Sequence, residues 1–207
     1  MTADSPDTRE LLERAGAGDP QALGELFGRH SDRLRRMVQL RLDKRLQGRI
    51  DPSDVLQEAF LELSRALAEY LRNPAMPFFL WLRCLTGRKL QALHRRHIGT
   101  RMRNVGREVA LHGGTLPQAT SESLAAQLLG RFTTPSQAAL RAELQRQIQE
   151  ALSAMGPLDR EVLALRHFEQ LSNAEAAQVL EISEAAASNR YVRALKRLKK
   201  ILTEVGG

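Results

Sequence analysis

"SNAEAAQVLEISEAAASNRYVRALKRLKK", residues 172–200, decides how this chain is read. It opens on Ser172 with Glu175 three positions on. That spacing makes a reciprocal cap: the serine hydroxyl takes an amide of the first turn and the glutamate reaches back to the serine's own amide. "NAEAAQVL" is then a short helix, "EIS" a break, and Ser183 stands where it can cap the next helix. A short capped helix, a tight turn and a longer helix make the helix-turn-helix pattern. Ala177 is small enough to let the two helices approach closely. Glu181 sits in the turn, where glycine is common, and a positive φ is costly for any other residue. The turn is therefore open to a different construction.

The second helix has two faces when wound at about 100° per residue. Ala187, Tyr191, Ala194, Leu198 and Ile201 fall on one side, the packing side. Ala185, Asn189, Val192 and Lys196 fall opposite, flanked by Arg193, Arg197 and Lys200 on one edge and by Ser188 and Lys199 on the other. Arg190 lies nearer the packing side. The small residues Ala185 and Ala186 allow a helix to sit deep in a major groove, Asn pairs with adenine, and Arg and Lys hold phosphates. Taken alone, such a helix equally suits a solvated basic face. The capped helix and turn before it favour DNA.

The rest of the chain agrees with a polyanion partner. Of 207 residues 43% are hydrophobic, 27% charged and only 4% aromatic, and the formal net charge is +7. Leu, Ala, Arg, Glu and Gln dominate, and these are good helix formers. The charge is segregated. Residues 1–26 hold six acids and two bases; residues 83–107 hold eight bases and no acid; residues 190–200 hold six bases and no acid. Blocks of one sign create a local potential that attracts polyanions. Cys84 is the only cysteine, so no internal disulfide forms. The first residues carry acids and no apolar run, unlike a signal peptide, and no segment is long enough to span a membrane. A cytoplasmic protein with no membrane partner is expected.

The sequence predicts an all-α fold of two helical domains joined by a long connector, the C-terminal one containing the helix-turn-helix. An acidic segment covers 1–18. A helical domain covers 19–98: Asp19-Pro20 and Asp51-Pro52 each pair an N-cap with proline at the first helical position. "RNPAMP" (72–77), with two prolines, is a loop. "FFLWLRCLTGRKLQALHRRHI" (78–98) is a helix, apolar first and basic later, with Gly87 weakening it slightly. Residues 99–135 are rich in Gly, Ser, Thr and Pro and form the connector, with "SESLAAQLLGRF" as one short helix. So long a connector argues for two domains. Residues 136–207 form the second domain, broken at Gly156-Pro157, Gln170–Ser172 and Glu181–Ser183.

On these stretches the chain resembles a sigma factor of bacterial RNA polymerase, of the extracytoplasmic-function type within the sigma-70 family. The resemblance covers about 19–98 and 138–203, in the family's order, and "PFFLWLR" and "REVLALRHFEQLSNAEAAQVL" are similar to planctomycete-type variants. It implies a protein that binds core RNA polymerase and directs promoter recognition and melting. "DPSDVLQEAFLEL" (51–63) is similar to the helix that grips the polymerase, which assigns Asp54, Gln57, Glu58, Phe60 and Leu61 to that contact. Without the resemblance the three polar residues read as a solvated helix face. "YLRNPAMP" (70–77) matches the segment that captures a flipped base of the −10 element, implicating Asn73 and Met76. Its two prolines depart from the common pattern, leaving the base it takes open. Trp81 reads either as a core aromatic or as a stacking surface at the melting fork. Arg88, Lys89, Arg95 and Arg96 would track the opened non-template strand. Arg101, Arg103 and Arg107 in the connector could meet template or RNA phosphates or simply be solvated. The helix from 183 matches the reader of the −35 duplex, through Ala185, Ala186, Ser188, Asn189, Arg190, Arg193, Lys196, Arg197 and Lys200. The resemblance also raises an anti-sigma factor as a partner, whose existence the sequence leaves open.

Two other classes compete. A stand-alone helix-turn-helix regulator explains 136–207 equally well, but not a second basic segment behind "FFLWL". An enzyme or metal site would have to use Cys84, His94 and His97, whose spacing is poor for zinc. No nucleophile–base set, phosphate loop or paired carboxylates are present. A non-enzymatic protein without cofactor or metal is expected.

Overall fold

A computed structural model describes residues 4–46, 48–98, 108–111, 114–130 and 138–205. The chain forms two compact units that divide between Pro117 and Gln118. Helices build both, in an all-α, two-domain architecture to which one two-stranded hairpin in the N-terminal unit is added, an element the sequence did not signal.

The N-terminal unit begins with a helix, α1 (Pro6–Gly16), where the sequence suggested only an acidic segment. Ser5 caps it by accepting from the Thr8 amide at 3.2 Å, and Thr8, Leu11 and Leu12 are buried. The acids had masked a short apolar stripe. α2 (Pro20–Arg41) starts as expected, with Asp19 accepting from the Gln21 and Ala22 amides at 2.9 and 3.1 Å. α3 (Pro52–Arg72) has a full capping box. Asp51 accepts from the Ser53 amide, and Asp54 accepts from the Asp51 amide at 3.0 Å. Val55, Leu56, Ala59, Leu63, Leu67 and Tyr70 form its buried stripe. α4 (Phe78–Ile98) packs against α2 and α3. Met37, Val38, Leu42, Leu46, Ile50, Val55, Leu90 and Leu93 make one cluster of the core between these helices.

The connector is shared between the units. Its first part is an antiparallel hairpin, β1 (Glu108–Leu111) and β2 (Gly114–Pro117), with Glu108 opposite Pro117 and Leu111 opposite Gly114. β2 packs on α4. Leu116 is buried, and it lies so close to Gly87 that a Cβ there would have no room. Gly87 is thus not a mere weakness in a helix but the notch that receives the hairpin. Arg41, itself buried, donates to the Pro117 carbonyl at 2.8 Å and fixes the hairpin's end. The second part, α5 (Ser121–Leu129), is capped by Thr120 and joins the C-terminal unit. It buries Leu124, Ala125, Leu128 and Leu129 and packs on α6.

The C-terminal unit continues with α6 (Ala138–Ser153) and α7 (Pro157–Leu163). Arg160 donates to the carbonyls of Leu152, Ser153 and Met155 and closes the corner between them. A widened turn over Ala164–Phe168 ends α7, with Glu169 donating to the Ala164 carbonyl. Gln170 then takes a left-handed φ of 59°, and Arg166 holds the Leu171 carbonyl at 2.8 Å. α8 (Asn173–Leu180) and α9 (Glu184–Val205) complete the unit, and α9 packs on α6, α7 and α8.

Candidate nucleic-acid interface

The helix pair α8–α9 is built from its caps inward. Ser172 Oγ accepts from the Glu175 amide at 3.1 Å while Glu175 accepts from the Ser172 amide at 2.6 Å. At the other end, Ile182 donates to the Ala177 carbonyl at 3.0 Å and Glu181 to Gln178 at 3.3 Å. That geometry demands a left-handed residue, and Glu181 supplies it, at φ 55° and ψ 40°. The helix-turn-helix keeps its usual turn with a glutamate in it, at a strain of about 1–2 kcal/mol. Ser183 accepts from the Ala186 amide at 3.1 Å, and Asn173 Nδ2 donates to the Glu184 carbonyl at 2.9 Å. These bonds fix the angle at which α9 leaves the turn.

The faces of α9 divide much as its spacing predicts. Ala187, Ala194 and Leu198 are buried. Tyr191 is half-buried, with the Arg166 guanidinium over its ring at 5.2 Å. Ile201's side chain lies outside the described residues. Ala185, Ser188, Asn189, Arg193, Lys196, Arg197 and Lys200 are exposed and Ala186 half-exposed. Val192 is an exposed branched apolar residue among them. Arg190 is different. It donates to Asp159 of α7 at 2.7 Å, and Arg193 approaches the same carboxylate at 3.6 Å. Arg190 thereby ties α9 to its own unit, as its place near the packing side of the wheel implied. Sequence reading missed Asp159, which looks like an ordinary acid in the first turn of a helix. Nothing in the spacing signals a partner 31 residues away.

The N-terminal unit gathers a second set. Asn73 ends α3 and is exposed, Met76 is half-buried, and the Tyr70 hydroxyl donates to the Met76 carbonyl at 3.0 Å. Trp81 is half-buried and stacks on Tyr70, with ring centroids 4.6 Å apart and 29° between planes. It is partly core and partly surface, so both readings of it survive. Burial, then the Asp4 charge, holds the Tyr70 hydroxyl well above its ordinary pKa, so it stays a donor. Along α4, Arg88, Arg95 and Arg96 are exposed, but Lys89 is held by Glu62 at 2.6 Å. The Lys89 charge is therefore largely answered within the unit. Arg101, Arg103 and Arg107 lie outside the described residues.

On α3, Gln57 is exposed and Glu58 half-exposed, and Leu61 is 54% exposed despite its size. Phe60 is half-buried against Phe27, edge to face at 5.2 Å. Asp54 has a structural duty in the capping box as well as an exposed position.

Cys84 and His94 have local explanations. Burial pushes the Cys84 thiol up. His94 Nε2 accepts from the Asp43 amide at 3.3 Å, and burial lowers its pKa. Among the described residues no three His, Cys, Asp or Glu side chains form a group able to hold a metal ion, and no helix is long and apolar enough to cross a membrane.

Two helical units, one ending in a capped helix-turn-helix with a basic outer face, define a DNA-binding protein of transcription. Residues 145–198 match the family described as sigma-70, region 4. The chain is 32% identical over 203 residues to the RNA polymerase sigma factor CnrH of Cupriavidus metallidurans, covering 94% of this chain and 93% of that protein. It is 28% identical over 202 residues to the ECF RNA polymerase sigma factor BldN of Streptomyces coelicolor, covering 98% of this chain and 68% of the relative. Its fold is similar to that of CnrH, solved in complex with the cytosolic domain of CnrY, with a TM-score of 0.55 at 24% identity over 96% of this chain and 99% of that one. The chain belongs to the extracytoplasmic-function sigma factors of the sigma-70 family and serves transcription initiation.

Proposed function

We propose that this sigma factor binds core RNA polymerase through α3, captures a −10 base and the melted non-template strand with the 73–77 loop and α4, and reads the −35 duplex with α9. The observation that carries the reading is the exposure pattern of α9. Its first two turns present Ala185, Ser188 and Asn189 outward, and Lys196, Arg197 and Lys200 follow on the outer side. A small, polar beginning suits base edges in a major groove, and a basic end suits flanking phosphates. Arg190, bonded to Asp159, acts in this scheme by holding α9 in place, leaving Asn189, Arg193 and Lys196 as the principal contacts.

On α3, the exposed Leu61 beside Gln57 and Glu58 suits a partner surface that is apolar at its centre and basic around it. Core polymerase is the occupant proposed, with Asp54 contributing charge from the same helix face. Trp81, Arg88, Arg95 and Arg96 support a path for a single strand, by stacking and by phosphate contact. The protein acts in the cytoplasm, where polymerase and promoter are. The solved complex of CnrH with the cytosolic domain of CnrY supports a comparable anti-sigma partner for this chain.

Run-off transcription with core polymerase, on DNA selected by this protein, tests the proposal. Promoter-specific initiation is expected only when both are present. Tight, sequence-specific duplex binding by the protein alone, with no effect on initiation, would instead make it a stand-alone regulator.

A further inference from the structure

We infer that Asp4 is a positioning residue for the loop of residues 73–77, and that α1 is a strut fixing how that loop is presented to a promoter base; this deepens, and rests on, the −10 reading above. Asn73, Pro74 and Ala75 are exposed. Pro74 and Pro77 fix φ inside the loop, so much of its remaining freedom lies at its ends. Its N-terminal end is held by the Asn73 amide on the Tyr70 carbonyl at 3.2 Å, and two tethers from outside the loop hold its C-terminal end. The Tyr70 hydroxyl donates to the Met76 carbonyl at 3.0 Å. The Phe78 amide, at the first residue of α4, donates to both carboxylate oxygens of Asp4, at 3.0 and 3.2 Å. The first amides of a helix have no carbonyl partner within it. Here the acceptor arrives from 74 residues earlier in the chain.

Asp4 does not reach Phe78 by chance of a loose terminus. The next residue, Ser5, caps α1. Thr8, Leu11 and Leu12 are buried in α1, which packs on α2 and α3. At its far end Gly16 lies against Leu71, where a Cβ would stand 2.7 Å from Cδ1. α1 is thus anchored along its length beside the helix that feeds the loop. Tyr70 and Asp4 converge on the same residue: the Tyr70 ring meets the Phe78 ring edge to face, with centroids 5.7 Å apart, while Asp4 takes the Phe78 amide. The two tethers, one on Met76 and one on Phe78, and the Trp81 ring stacked on Tyr70 form one brace around the end of the loop.

The test uses the full chain, by itself for fluorescence and with core polymerase for transcription. Asp4→Ala removes the acceptor; Asp4→Asn keeps an amide oxygen in its place. Trp81 is the only tryptophan, so acrylamide quenching of its fluorescence reports the brace directly. Transcription is measured from templates carrying each base at the captured −10 position, with −35 variants as internal control. Asp4→Ala is expected to raise quenching and to lower −10 discrimination about three- to tenfold, as loss of one hydrogen bond would. It should leave −35 preference alone, and Asp4→Asn should restore both readouts. The inference is overturned if Asp4→Ala leaves quenching or −10 discrimination unchanged while Asn73→Ala or Met76→Ala lowers that discrimination. Equal losses at −10 and −35 would overturn it too, as would failure of Asp4→Asn to rescue. If Asn73→Ala and Met76→Ala both leave −10 preference intact, base capture by this loop has failed, and the inference falls with it.

Discussion

Gly87→Ala separates what a helix wants from what the tertiary contact allows. In an exposed helix the change should stabilise by about 1 kcal/mol, because alanine is the better helix former. Gly87 is not exposed. A Cβ there would overlap the Leu116 side chain at Cδ2 and stand 2.9 Å from its Cγ. Contact with Cγ as well as a terminal methyl means that turning the tip of the side chain is not enough, and β2 must move. Such overpacking costs about 1–3 kcal/mol, and it also strains the bond from Arg41 to the Pro117 carbonyl. A net loss of about 1 kcal/mol is expected once the propensity gain of alanine is set against it. Urea unfolding followed by Trp81 fluorescence reads the N-terminal unit, where the only tryptophan lies. Leu116→Ala in the Gly87→Ala background should cost less than in the unsubstituted protein, by about 1–2 kcal/mol of coupling. A raised urea midpoint for Gly87→Ala, or simple additivity of the two changes, would refute the docking of this hairpin on α4.

Asn189→Ala should flatten preference for one base pair in a panel of single-base −35 variants, a loss of about 1–3 kcal/mol of discrimination. Lys196→Ala or Lys200→Ala should weaken binding evenly across the panel, each reducing the salt slope by about one; unchanged base preference in Asn189→Ala would remove it as a reader. Leu61→Asp should weaken co-purification with core polymerase and leave thermal stability intact, whereas Asp54→Arg should also lose stability of about 1 kcal/mol because it opens the α3 capping box. Full retention of core binding by Leu61→Asp would argue against the α3 contact. His94 gives a pH signature. Burial sets its folded pKa below the ordinary 6.5, so the unfolded chain binds the proton first as pH falls. The stability it contributes is complete above about pH 6.5 and is lost as pH drops through the folded value. His94→Gln should flatten that part of the stability–pH curve, and an unaltered curve would count against it.

The class of this protein was legible in local sequence. Capping residues and helical periodicity are short-range, so Ser172 with Glu175, Ser183, and the two Asp-Pro starts announced their helices before any packing was known. The split between buried Ala187, Ala194 and Leu198 and the exposed outer face of α9 follows from the same periodicity. What the tertiary structure decided is everything that joins residues far apart in the chain. Arg190 looks like one more base on a basic helix until Asp159 is seen 2.7 Å away. Lys89 likewise looks free for phosphate until Glu62 is beside it. Gly87 reads as a flaw until Leu116 fills the space it leaves. Residues 1–18 read only as an acidic segment until Asp4 is found on the Phe78 amide. No periodicity encodes these pairings, because charge and hydrogen-bond partners depend on which surfaces the folded helices bring together, and a sequence carries that information only through the packing of the whole unit.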